Sequence, residues 1–172
     1  MRSFVPDLAR AEIGSTYNQY AASPLLCARL TAYLALRASA PILLVGEAAG
    51  YRGARVSGIP FTSERQLSGR RPAEATATIV HAVLAELGLE RDVLLWNLVP
   101  THPHAPGNAQ SNRRPTRDEV EAGRPFLHRL RRGRRVVAIG RLAHAELGGP
   151  YVRHPSHGGA RQFRSALVEL LG

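Results

Sequence analysis

The chain contains no lysine, a single cysteine, a single tryptophan and a single methionine among 172 residues, and only 6% of it is aromatic. One cysteine, Cys27, excludes an intramolecular disulfide and any zinc or iron–sulfur site that needs four thiolates from this chain. On an apolar stretch with helical spacing, Cys27 reads as a small buried residue and not as a reactive thiol. No apolar run approaches the roughly 20 residues needed to cross a bilayer. The segment MRSFVPDLARAEIG lacks the uninterrupted apolar core of a signal peptide. These absences lead to the expectation of a soluble, cytoplasmic protein with no membrane contact and no metal.

What the chain does have is positive charge. Its 23 basic residues are all arginine and face 13 acidic ones, for a formal net charge of +10. An excess of this size favours a polyanionic partner, because long-range fields concentrate phosphate near the surface and steer its approach. Charge alone does not choose between DNA, RNA and anionic lipid. With 44% hydrophobic residues, a chain of this length can bury one core, so one domain spanning 1–172 is expected.

Four apolar runs have the character of strands: Ile42 to Gly46, Val93 to Asn97, Val136 to Gly140 and the shorter Tyr151 to His154. The first three are apolar on both faces, as parallel strands covered by helices should be. Leu25 to Leu36 and Ala73 to Leu87 carry broad helical apolar faces, and Gly88 follows the second as a C-terminal cap. Thr116-Arg117-Asp118-Glu119 is a capping box that starts another helix, and a last one spans about Arg161 to Leu171. Strands alternating with helices predict a three-layer α/β/α sandwich around a central, parallel, four-stranded sheet.

Such sheets bind ligands beyond the carboxyl ends of their strands. The first strand ends in Gly46-Glu47-Ala48-Ala49-Gly50, the second in Asn97, the third in Gly140-Arg141 and the fourth in His154-Pro155-Ser156. Topology alone therefore predicts that Glu47, Asn97 and His154 converge at one edge. The proline- and glycine-rich stretch Pro100 to Pro115 is a long loop on that same edge, a candidate wall of a site. Taken singly, each signal has a plainer reading. GEAAG serves equally well as a tight strand-to-helix turn, Asn97 as a local cap, and His154 as an exposed loop residue.

Read in order, these segments resemble the motifs of the uracil-DNA glycosylase superfamily. LLVGEAAGYRGARVSGIPFTSERQL is similar to the GEAPG…GxPF pattern of its iron–sulfur branch, and LLWNLVPTHP to the LLLNxxLT strand end. The run from Asn112 to Glu119 fits NRxPTxxE, VVAIGRLAHAEL resembles ALGRxAAxxL, and His154-Pro155-Ser156 matches HPS. The resemblance implies base flipping, with Phe61 stacked on the extruded base, Asn97 reading its imide edge and Gly46 and Ala48 lining the pocket. It implies that His154 donates a hydrogen bond to the uracil oxygen as charge develops there. Ser156, His157, Gly158 and Arg161 would meet phosphates or the minor groove. The partner implied is DNA containing uracil or an abasic site, and the protein is expected to act as a monomer.

The sequence also departs from the family pattern. The iron–sulfur branch needs four cysteines and this chain has one, so no such cluster can form. Ala48 stands where the best-known branch has an aspartate, and Gly50 where that branch has a bulky aromatic residue that excludes thymine. Past the turn, where the iron–sulfur branch has a further acid, stand Tyr51-Arg52-Gly53-Ala54-Arg55. Glu47 is the carboxylate left in the motif, and it is the candidate for holding water or for bonding to the turn. Arg52 and Arg55 are read as DNA-binding residues beside the pocket, suited to holding an abasic product, or else as a solvated basic face. Two further readings stay open: hypoxanthine or xanthine as the base, because Gly50 leaves the gate open, and a non-catalytic module that binds damaged DNA, because the usual acid is absent.

Overall fold

The computed structural model describes residues 3–172. In chain order its elements are α1 (Phe4–Arg10), α2 (Gln19–Ala22), α3 (Pro24–Leu36), β1 (Ile42–Ala48), α4 (Ala54–Ser57), α5 (Glu64–Ser68), α6 (Ala75–Glu86), β2 (Val93–Val99), α7 (Arg117–Arg131), β3 (Arg135–Ile139), α8 (Arg141–Leu147), β4 (Tyr151–Val152) and α9 (Ala160–Leu171). The strands form one parallel sheet in the order β2-β1-β3-β4, with helices on both sides, as the alternation of strand and helix predicts.

The central strands are apolar because both of their faces are covered. Leu43, Leu44 and Val45 on β1 are fully enclosed, as are Val137 and Ile139 on β3. Burying each such side chain contributes about 1.5–3 kcal/mol. β2 lies at the sheet edge, where an unpaired backbone donor would invite another strand. There the Leu95 N–H donates to the Tyr33 hydroxyl of α3 at 2.7 Å. Trp96, also on β2, is enclosed and meets Phe4 of α1 edge-on at 5.5 Å, while Phe4 meets Phe126 of α7 at 5.7 Å. α7 approaches β2 closely because Gly123 has no side chain: a Cβ there would strike the Leu98 carbonyl.

Several boundaries differ from the sequence expectation. β1 and β2 run two residues further, because Ala48 still pairs with Val99. β4 keeps only Tyr151 and Val152, which pair with Ala138 and Ile139; His154 lies beyond it, just before a proline that has no N–H to continue a ladder. α6 starts at Ala75 and not at Ala73, leaving Glu74 at its N-cap position. The capping box at Thr116 is present, and Gly88 takes a positive φ just past α6. The short helices α1, α2, α4, α5 and α8 were not expected; each is seven residues or fewer, too short to show a clear apolar period. Among the described residues, no helix is long and apolar enough to cross a membrane.

Candidate active site

A cleft of about 670 Å³ opens at the carboxyl ends of the strands. Its floor is built from the strand ends that the topology brings together: Glu47 and Ala48 from β1, Asn97 from β2, Ile139 and Gly140 after β3, and His154 after β4. One wall is the 100–115 loop, which contributes Pro103, Asn112, Arg113 and Arg114. The loop is tied down at several points. Tyr17 and His102 exchange backbone hydrogen bonds of 2.9 Å in both directions, and the Tyr51 N–H donates to the Asn112 side-chain oxygen at 2.8 Å.

Asn97, Phe61, Gly46 and His154 form one cluster. Gly46 must lack a side chain, because a Cβ would enter the Phe61 ring and would lie only 3.0 Å from Asn97 Oδ1. Phe61 is buried, holds φ at +52°, and sits 6.4 Å from the His154 ring, centroid to centroid. A non-glycine residue in the left-handed region persists only where its surroundings fix it, and such residues gather at functional sites. Asn97 is 3% exposed, yet its amide makes no hydrogen bond among the described residues and is not sealed from the cleft. A buried amide left unpaired is costly unless something entering the cleft supplies its hydrogen bonds.

His154 has a defined tautomer. The Ser156 N–H donates to His154 Nδ1 at 3.2 Å, so Nδ1 carries the lone pair and the proton sits on Nε2. The Ser156 hydroxyl lies 2.8 Å from the same nitrogen and 3.0 Å from Nδ1 of His157. Burial, helped by the neighbouring His157, lowers the pKa of His154 and keeps the ring neutral near pH 7. The site thus offers a neutral imidazole with a free Nε2–H. Ser156 is engaged in orienting that ring; exposed His157, at positive φ, also lines the cleft, whereas exposed Gly158, at positive φ, and exposed Arg161 are not among its lining residues.

The two carboxylates of the cleft differ. Glu47 is half-buried, and burial pushes its pKa up while Arg114 pulls against that shift. Glu74, which sequence reasoning missed, also lines the cleft, and burial raises its pKa with nothing opposing. Arg114 and Arg141 line the cleft as well: Arg141 follows the third strand and Arg114 lies in the loop wall, but neither is given a role by the sequence. Arg113 is a lining residue too, but its guanidinium is spent on Glu119. Arg52 and Arg55 do not line the cleft. Arg55 lies over the rings of Tyr17 at 5.4 Å and Tyr51 at 5.3 Å, and Arg52 lies 6.0 Å from Tyr51.

A family model described as the Uracil DNA glycosylase superfamily matches residues 35–169. The fold is also similar to that of a solved structure titled "The crystal structure of WT Pedobacter heparinus SMUG2", with a TM-score of 0.71 and 14% sequence identity, over 98% of this chain and 95% of that one. No curated protein matches the chain in sequence. The family match runs from the end of α3 into α9 and takes in every strand of the sheet, so this chain belongs to the uracil DNA glycosylase superfamily, a family of DNA glycosylases.

Proposed function

We propose that the protein hydrolyses the N-glycosidic bond of uracil in DNA by base flipping, leaves an abasic site and so initiates base excision repair. The observation that carries this reading is Asn97: almost fully buried, unpaired, and clustered with Phe61 and His154 in one cleft. An amide has a donor side and an acceptor side, which matches the N3–H and the adjacent carbonyl of the uracil imide edge. Phe61 stacks on the extruded base. As the glycosidic bond breaks, negative charge gathers on a base oxygen, and the Nε2–H of neutral His154 donates to it. His157, Gly158 and Arg161 contact the strand around the extruded nucleotide, while Arg52 and Arg55 add to phosphate affinity from outside the cleft. With no lysine in the chain there is no ε-amine to form a Schiff base with the abasic aldehyde, which favours hydrolysis without strand cleavage.

The test is incubation of the purified protein with single- and double-stranded oligonucleotides carrying uracil, hypoxanthine or xanthine, scored as alkali-labile strands. Uracil release is expected, with Asn97→Ala and His154→Ala each losing about 100- to 1000-fold in rate while remaining folded by circular dichroism. Full activity in both variants refutes the site. Gly50 favours one second reading, a larger deaminated base, since no aromatic side chain stands at that position; preferential release of hypoxanthine or xanthine decides for it. Binding to damaged DNA without base release decides for a non-catalytic module.

A further inference from the structure

The turn after β1 carries no acid beyond Glu47, and the structure fills the resulting space from another element. Glu74, at the N-cap position of α6, lies directly against the backbone of Gly50 and Gly53: a Cβ on Gly50 would overlap Glu74 Oε1, and one on Gly53 would overlap Oε2. The two glycines therefore form the shelf on which this carboxylate rests. In a chain of net charge +10, Glu74 has no ion pair and no side-chain hydrogen bond among the described residues. Neither oxygen is sealed from solvent, and the residue lines the cleft that holds Asn97, Phe61 and His154. A carboxylate that is largely buried, unpaired and open to a cleft is poorly solvated, and it gains most from accepting a hydrogen bond from water.

Resting on the reading of this site as a glycosylase, we propose that Glu74 is the general base that holds and deprotonates the attacking water. The water oxygen bonds to C1′ of the flipped nucleotide while the C1′–N bond breaks, its electron pair leaving with the base. The water proton passes to the Glu74 carboxylate, and the leaving base is held by His154 until solvent protonates it. The charged groups around the cleft are Glu47 on β1, Arg113 and Arg114 on the loop wall, Arg141 on α8, and His154 and His157 beyond β4, with Arg52 on the neighbouring turn and Arg55 on α4. Of these, Arg114 acts on Glu47, and no charge offsets the burial of Glu74. Burial raises both carboxyls, but Glu74 is the one with no cationic group opposing that shift, and it rests on the Gly50–Gly53 shelf facing the cleft.

The experiment is single-turnover base release from a uracil-, hypoxanthine- or xanthine-containing oligonucleotide, across pH, for wild type, Glu74→Gln, Glu74→Ala and Glu47→Gln. Glu74→Gln keeps the shape and is expected to lose about 100-fold or more in rate, with affinity for the abasic oligonucleotide unchanged. In wild type the rate should rise with pH through a pKa above the ordinary carboxylate range, and Glu74→Gln should abolish that rise while Glu47→Gln keeps it. Added formate should restore part of the Glu74→Ala rate. A Glu74→Gln rate within threefold of wild type, or a pH limb that disappears only with Glu47→Gln, overturns the assignment. A wild type inactive on all three bases sinks the glycosylase reading instead, which keeps the two failures distinguishable.

Discussion

Glu119 and Glu74 each lie at the start of a helix, α7 and α6, yet the side chain of one is clamped on every side and that of the other has no hydrogen-bond partner among the described residues. Glu119 is 1% exposed and accepts from both terminal nitrogens of Arg113, at 2.8 and 2.6 Å, from the Thr116 N–H at 2.9 Å and from the Ser15 hydroxyl at 3.4 Å. These donors, Arg113 first, hold its carboxyl below the usual range, whereas burial alone pushes Glu74 above it. The difference separates structural from working carboxylates. A carboxylate that fixes a fold is saturated with donors, which lowers its basicity. One that is to take a proton from water must be kept short of donors, at some cost in stability.

The contrast can be broken most forcefully at Glu119. Its replacement by alanine strands a half-buried guanidinium and is expected to cost about 3 kcal/mol in urea denaturation; a loss well under 1 kcal/mol would mean the clamp carries little. Thr116→Ala removes one cap from the same box and should cost about 1 kcal/mol, read from the midpoint of the same curve. Glu74→Gln should act in the opposite direction. A carboxyl whose folded-state pKa is raised contributes stability below its unfolded pKa and loses it as pH rises through the folded one. The variant should therefore melt at a higher temperature than wild type near neutral pH, and the gap should close as pH falls below the ordinary carboxylate range. A variant that melts lower at pH 7 would place Glu74 with Glu119. The smallest effect concerns Glu47: Arg114→Ala should move its titration upward in an NMR experiment and leave that of Glu74 in place.

The parts of the fold legible in the sequence were those governed by local pattern. β1, β2 and β3 show as two-faced apolar runs, and the Thr116 to Glu119 box marks the start of α7 because its hydrogen bonds span three residues. The strand-end residues Glu47, Asn97 and His154 line one cleft because parallel topology sends every carboxyl end to one edge. Glu74 was not legible, since its meaning depends on the space left by Gly50 and Gly53 more than twenty positions earlier. For the same reason Arg55 read as a pocket neighbour: its rings come from Tyr51 nearby but also from Tyr17, 38 positions away in the chain. Arg113 and Glu119 fall in one sequence run, from Asn112 to Glu119, but that their charges pair is visible only in space.

The loop wall has a consequence for how binding energy is divided. It carries Pro100, Pro103, Pro106 and Pro115, and its backbone is fixed further by the bond from the Ala105 N–H to the Ser111 hydroxyl at 2.9 Å and from Arg113 Nε to the His104 carbonyl at 2.9 Å. Prolines restrict the unfolded chain as well as the folded one, so such a loop has little conformational freedom left to lose. A nucleotide entering the cleft meets a surface whose ordering entropy was surrendered at folding. Contacts with the wall can then go toward unstacking and extruding the base, not toward shaping the pocket around it.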